Sequence, residues 1–314
     1  MSYKPIIIVS GDPKSIFLEI FFKSIKKKKF KSPIILICSE NLLKKNMRKF
    51  NFKKKIKLLK PSQITEFNLN NNSINLIDIK LKKNANINQY IEKSFFTAFK
   101  IIKDGITDKF INGPISKKKF LKKKYLGVTE YICDYFTIKK NAMLIYNKDL
   151  SVCPITTHVP IKQVTKKITK AIIKEKVNLV VKFYLKHFKY KPKIAILGLN
   201  PHCETIEKFN EDQKIIKPTV QSLRKLNYNV DGPFSADTAF LKQNRVKYDV
   251  VIGSYHDQVL TPLKTLFEYD AINITLGLPF IRISPDHGPN EKMVGKNISN
   301  PLSLIKAISF LDKN

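Results

Sequence analysis

Short runs rich in isoleucine and valine alternate along this 314-residue chain with longer amphipathic segments, and polar signatures follow several of the runs directly. The predicted strands are Pro5–Ser10, Pro33–Cys38, Ser73–Ile79, Ala142–Tyr146, Ser151–Pro154, Lys193–Leu199, Val250–Gly253 and Ala271–Thr275. The predicted helices between them are Ile16–Ser24, Asn88–Asp104, Ile161–Phe188, Asp212–Leu226 and Pro301–Leu311. Alternation of this kind builds a largely parallel sheet covered by helices. In such folds the carboxyl ends of the strands form the ligand crevice. The signatures Asn112-Gly113-Pro114, Thr156-Thr157-His158, Asn200-Pro201-His202 and Tyr255-His256-Asp257-Gln258 all fall where that crevice is expected.

The length suffices for one large domain or two ordinary ones. No linker and no internal repeat stands out, so a second domain has to form by the chain crossing between lobes. No apolar run approaches the ~18 residues of a membrane span. The short Ile6-Ile7-Ile8-Val9 run passes straight into Gly11-Asp12-Pro13, unlike a signal peptide, and is expected to be the first strand. A cytoplasmic protein with reduced thiols is the expectation for Cys38, Cys133, Cys153 and Cys203, which lack CxxC spacing.

The formal net charge of +33 arises almost wholly from lysine. Nucleic-acid binding would use such a surplus, yet no stacking motif or zinc-finger spacing accompanies it. Runs such as Lys26-Lys27-Lys28-Lys29 sit among many Asn and Ile residues, as an A/T-rich coding bias produces. Solvated faces explain them better, with a positive field that gathers anionic substrates.

Of the five histidines, His187 lies in a basic, surface-like stretch. His158, His202, His256 and His287 each follow or approach a strand end. Neutral imidazole is a common ligand for zinc and similar metals, and three protein ligands with open positions make a catalytic site. His158, His202 and His256 are therefore the candidate metal ligands. Cys203, beside His202, is an alternative soft ligand, with packing the plainer reading. Asp237 and Asp257 flank these histidines and suit imidazole orientation, proton acceptance or binding of a substrate ammonium.

The ordered set Gly11-Asp12-Pro13, Asn112-Gly113-Pro114-Ile115, Gly127-Val128-Thr129-Glu130-Tyr131, Thr156-Thr157-His158-Val159-Pro160, Leu199-Asn200-Pro201-His202, Ala236-Asp237-Thr238, Tyr255-His256-Asp257-Gln258 and Asn273 to Arg282 resembles the 4-hydroxythreonine-4-phosphate dehydrogenase family. That family belongs with the β-decarboxylating dehydrogenases, which include the isocitrate and isopropylmalate enzymes. The resemblance implies two α/β/α lobes with mostly parallel sheets and an active site in the interlobe cleft. The expected division is 1–125 with 261–314 in one lobe and 126–260 in the other.

It also implies NAD-dependent oxidation of a phosphorylated hydroxy-amino acid, followed by decarboxylation, assisted by zinc, cobalt, manganese or magnesium. By the same resemblance His158, His202 and His256 hold the metal, with His256 from the partner subunit of a homodimer. Thr129, Lys264, Asn273 and Arg282 bind a small phosphorylated substrate, and Asp257, Asp237 and Lys264 are the catalytic candidates. His287, Gly288, Gly295 and Asn300 resemble the loop that holds the dinucleotide's adenosine; the GxGxxG fingerprint is absent.

The chain departs from the family pattern at four places. The first loop reads Gly11-Asp12-Pro13-Lys14-Ser15-Ile16-Phe17, without its later glycines, and the loop after His202 is Cys203-Glu204-Thr205-Ile206-Glu207. Lys292 stands where relatives often carry an acid, and favours NADP if it faces the ribose. Val128 replaces a histidine that contacts substrate. It opens an alternative, a paralogue acting on another phosphorylated hydroxy acid, such as a 4-phospho-aldonate.

Overall fold

The computed structural model describes residues 3–81, 86–116, 120, 125, 127–206, 208–285 and 288–313. Two units emerge, Met1–Ile132 with Pro279–Asn314, and Cys133–Leu278. The sequence reading drew the crossing points at 125/126 and 260/261.

The first unit carries six strands in the order β3-β4-β2-β1-β5-β12. They are β1 (Ile6–Val9), β2 (Ile34–Cys38), β3 (Ile56–Leu58), β4 (Ile74–Asp78), β5 (Lys109–Asn112) and β12 (Ile281–Pro285). Every pairing among them is parallel. The continuous Ile6-Ile7-Ile8-Val9 run is fully buried, as both-face coverage by helices requires of a parallel strand. Helix α1 (Phe17–Lys27) buries Phe17, Leu18, Ile20, Phe21 and Phe22. Helix α2 (Glu40–Lys49) starts where the Ser39 hydroxyl accepts from the Leu42 N–H, one orphan donor of the first turn. Helix α3 (Ile87–Lys103) packs on β1 and β2. Helix α4 (Val128–Tyr135) covers a motif to which the sequence reading assigned no element.

The second unit has the order β11-β6-β7-β10-β8-β9. Its strands are β6 (Ala142–Tyr146), β7 (Ser151–Thr156), β8 (Ile194–Leu197), β9 (Val230–Phe234), β10 (Val250–Tyr255) and β11 (Ile272–Leu276). β6 runs antiparallel to both β7 and β11, and the others pair in parallel. The five-residue β6–β11 register, from Ile272↔Tyr146 to Leu276↔Ala142, places β11 in this unit.

The expected long helix Ile161–Phe188 is broken. A 3-10 turn (Ile161–Gln163) and one helical turn (Val164–Lys167) precede α5 (Lys170–Phe188). Ile168 and Thr169 are extended, and the Thr169 hydroxyl caps the new helix by accepting from the Ile172 N–H. The expected Asp212–Leu226 helix opens as a π turn over Asp212–Ile216, then becomes α6 (Lys217–Lys225). Pro218 has no N–H for the Lys214 carbonyl, and the Lys217 N–H instead bonds the Asp212 carbonyl one residue further back. Helix α7 (His256–Phe267) follows β10 directly. Helix α8 (Leu302–Asp312) returns to the first unit and packs on β1, β5, β12 and α1.

No helix among the described residues is long and apolar enough to cross a membrane. All four cysteines are buried and unbridged.

Candidate active site

In the first unit the loops after β1, β5 and β12 converge. The Gly113 N–H donates to the Val9 carbonyl at 2.7 Å, Asp12 N–H to Pro114 O at 2.9 Å, and Ile16 N–H to Pro289 O at 3.1 Å. Such approach needs glycine: a Cβ on Gly113 would lie 2.3 Å from Ser10 O, and one on Gly11, at φ +76°, 2.4 Å from Pro114 O. Beside these loops, Arg282 of β12 is only 2 % exposed. Its Nε donates to Asn112 Oδ1 at 2.7 Å and its Nη1 to Thr129 Oγ1 at 2.9 Å. Two predicted substrate residues, Arg282 and Thr129, are thus joined, with Asn112 as the third member. The guanidinium is desolvated and oriented by neutral acceptors, an arrangement suited to a carboxylate or phosphate. Val128, next to Thr129, presents only an apolar side chain.

The loop that resembles an adenosine-binding segment lies in the same unit. His287 falls outside the described residues. A Cβ on Gly288 would make ordinary contact with Asn290 Oδ1 at 3.9 Å, whereas one on Gly295, at φ +81°, would collide with Lys49 Nζ. Asn300 Oδ1 accepts from the Leu302 N–H at 2.9 Å, just ahead of α8. Lys292 is exposed.

In the second unit the parallel neighbours β7, β10, β8 and β9 present their carboxyl ends side by side. His158 follows β7, His256 begins the helix after β10, His202 follows β8 and Asp237 follows β9. The rings of His158 and His256 lie 6.0 Å apart, centroid to centroid, within one chain. His256 Nδ1 meets Asp257 Oδ1 at 2.6 Å, which leaves Nε2 as the outward nitrogen. A carboxylate behind an imidazole fixes its tautomer and ring orientation.

His202 is exposed, and both it and Cys203 are left-handed, at φ 55° and 62°. Two such residues in succession, neither of them glycine, have to be imposed by their surroundings. Among the described residues no three His, Cys, Asp or Glu side chains converge closely enough to hold a metal. The histidines therefore share one sheet edge, with two of the three rings close together. Their donor chemistry fits a divalent metal. Cys203 is buried, and burial first, then Asp212 and Asp237, push its thiol above the ordinary range, so it packs as a thiol.

Lys264 lies two turns along α7 and is half-buried; burial holds its ammonium below the usual lysine range. Asn273 on β11 keeps a buried Oδ1 that accepts no hydrogen bond among the described residues. Asp237 is exposed in the single turn Ala236–Ala239.

Sequence reasoning missed Asp212 and the role of Gln258. Asp212 is fully buried at the start of the π turn. Its carboxylate accepts from Leu199 N at 2.7 Å, Asn200 N at 3.0 Å and Asn200 Nδ2 at 3.0 Å. An acid opening a helix reads from sequence as an ordinary first-turn charge, so only the fold reveals this bond set.

Parallel strands with chemistry at their carboxyl ends define an α/β protein of the ligand-crevice type. The family model described as pyridoxal phosphate biosynthetic protein PdxA matches residues 29–311. A 4-hydroxythreonine-4-phosphate dehydrogenase of Sulfurihydrogenibium sp. (strain YO3AOP1) is 38% identical, with 96% of each chain covered. One of Aquifex aeolicus (strain VF5) is 33% identical, with 98% of each covered. The solved structure of a putative 4-hydroxythreonine-4-phosphate dehydrogenase from Salmonella typhimurium superposes with a TM-score of 0.84 at 27% identity, covering 99% of both chains. The chain belongs to the PdxA family.

Proposed function

We propose that this protein is an NAD-dependent, metal-assisted 4-hydroxythreonine-4-phosphate dehydrogenase. It oxidises the secondary alcohol of 4-phosphohydroxy-L-threonine to a β-keto acid, which loses carbon dioxide to give 3-amino-2-oxopropyl phosphate for pyridoxal phosphate biosynthesis. Beyond family membership, the observation that carries the reading is the delivery of His158, His256 and His202 from the adjacent parallel strands β7, β10 and β8.

Those three histidines would hold the metal. A divalent ion bound there would supply Lewis acidity toward the substrate alcohol. Asp257 keeps the His256 imidazole oriented through Nδ1. Arg282, seated by Asn112 and Thr129, binds an anionic group of the substrate. Asn273 offers Oδ1 to a substrate donor such as an ammonium or hydroxyl. Lys264 is the candidate to move a proton at Nζ, because a lowered lysine pKa brings the neutral amine closer to working pH. Asp237 and Asp257 are the alternative proton acceptors. Gly288, Gly295 and Asn300 line the cofactor side, and Lys292 makes NADP the competing nicotinamide. The reading includes a homodimer with a shared site.

The experiment is nicotinamide reduction with 4-phosphohydroxy-L-threonine, repeated with zinc, cobalt, manganese and magnesium. Turnover of this substrate supports the assignment. A second reading, oxidation of a 4-phospho-aldonate lacking the amine, is favoured by Val128, which offers no hydrogen bond beside Thr129. Activity on that acid alone would replace the first reading with the second.

A further inference from the structure

A line of polar side chains ties the three histidine-bearing strand ends together behind the imidazoles. Thr156 Oγ1, at the end of β7, donates to the Ser254 carbonyl of β10 at 2.8 Å. Gln258, one half-turn into α7, reaches back on both sides. Its Oε1 accepts from the Ser254 N–H at 2.7 Å and its Nε2 donates to the Gly198 carbonyl, at the end of β8, at 2.8 Å. Space for this bridge is reserved by Gly253, where a Cβ would stand 2.8 Å from Gln258 Oε1. Next along the edge, Asp212 pins the Leu199 and Asn200 N–H groups that precede Pro201-His202.

Asp212 is itself fastened. Asn210 Oδ1 accepts from its N–H at 2.9 Å, and Asn200 Nδ2 bonds both Asp212 Oδ2 and Glu211 Oε2. Gly198 again makes room, since a Cβ there would meet Cys203 Sγ at 2.6 Å and Asp212 Oδ1 at 2.9 Å. A fully buried carboxylate bonded to backbone and amide donors is costly to retain in a core. An apolar side chain would fill the volume but leave two backbone N–H groups of the loop without acceptors. The loop thus held contains the left-handed His202 and Cys203, which need such support.

We infer that Gln258 and Asp212 are positioning residues that hold the His202 loop against the end of β10, and so set metal affinity without touching the metal. The inference rests on the reading that His158, His202 and His256 hold a divalent ion. Each bond their side chains make goes to the backbone of a histidine-bearing segment or to the adjoining Asn200.

The test is cobalt(II) titration of the purified full-length enzyme freed of metal, following its d–d absorption, for the wild type, Gln258→Met and Asp212→Asn. Met keeps the length of Gln258 and removes both bonds; Asn keeps the shape of Asp212 and turns one acceptor into a donor. The expected result is one ion per site in the wild type and a 10- to 100-fold weaker cobalt affinity in each variant. An altered d–d spectrum and an unchanged far-UV circular dichroism spectrum should accompany the loss. Saturating metal should restore most of the turnover number. Gln258→Glu, which keeps the bond to Ser254 and loses the one to Gly198, should fall between. If Asp212→Asn does not fold, the two Gln258 variants decide the matter. Wild-type affinity and spectrum in the folded variants would overturn the positioning role and leave the metal reading intact. A wild type that binds no cobalt would overturn that reading and this inference together.

Discussion

At the scale of single residues, buried cations give the sharpest expectations. Arg282 fits its place through geometry as much as charge: its fork engages Asn112 and Thr129 at once. Arg282→Lys keeps the charge and loses the fork, so kcat/KM should fall by about 10- to 100-fold, or roughly 1.5–3 kcal/mol. Steady-state kinetics beside an unfolding curve would separate this loss from misfolding. Lys109, at the start of β5, is 4 % exposed, with Ser32 Oγ 3.4 Å from its Nζ. Burial chiefly holds its pKa below the ordinary lysine value of about 10.4, while Asp108 and Asp312 pull it upward. Between the lowered native value and the unfolded one, the unfolded chain binds more protons, so this group's contribution to stability rises with pH. Urea unfolding of wild type and Lys109→Met should show the variant's relative advantage shrinking as pH climbs toward 10. A difference independent of pH would rule out this source.

Among elements, the loops after β1 and β5 have no spare room. Gly113→Ala places a methyl 2.3 Å from Ser10 O, and overpacking of that kind costs about 1–3 kcal/mol. The urea midpoint should drop accordingly, and because Asn112 is the neighbouring residue, substrate affinity should weaken too. How far the elements could be read in advance follows from their chemistry. Isoleucine-rich β1, β2 and β4 and the aliphatic β6 announce themselves because both faces are covered. β5 opens on a lysine and β12 carries Arg282, so burial of polar residues hid both, while the turn-like Gly232-Pro233 hid β9. The break at Ile168-Thr169 was masked because its flanks share one amphipathic pattern. The histidines were visible as strand-end residues. Gln258 and Asp212 were not, since their partners lie 4, 12, 13 and 60 positions away.

For the whole molecule, the shared site can be tested by mixing subunits. The resemblance assigns His256 to a partner, while the single chain already brings its ring to 6.0 Å from that of His158. His158→Ala and His256→Ala are each expected to be inactive. Refolded together, they should regain about a quarter of wild-type activity if each site takes one histidine from each subunit, because mixed dimers then hold one intact site of two. A site completed within one chain would give no recovery. The predicted positive field, from a net charge of +33, acts on an anionic substrate either way.

The first unit is built from both ends of the chain, and β12 pairs beside β5. When residue 278 has been synthesised, everything in the second unit has been made, but only five of the six described strands of the first. β5 must then wait with one edge bare until β12 and α8 arrive, and Asp312, whose carboxylate accepts from the Lys31 and Ser32 N–H groups, comes almost last. Strand edges exposed during synthesis are where chains aggregate. A stop codon shortly after residue 278 should therefore yield insoluble protein, and the segment from Pro279 onward acts as the clasp of a unit begun at β1.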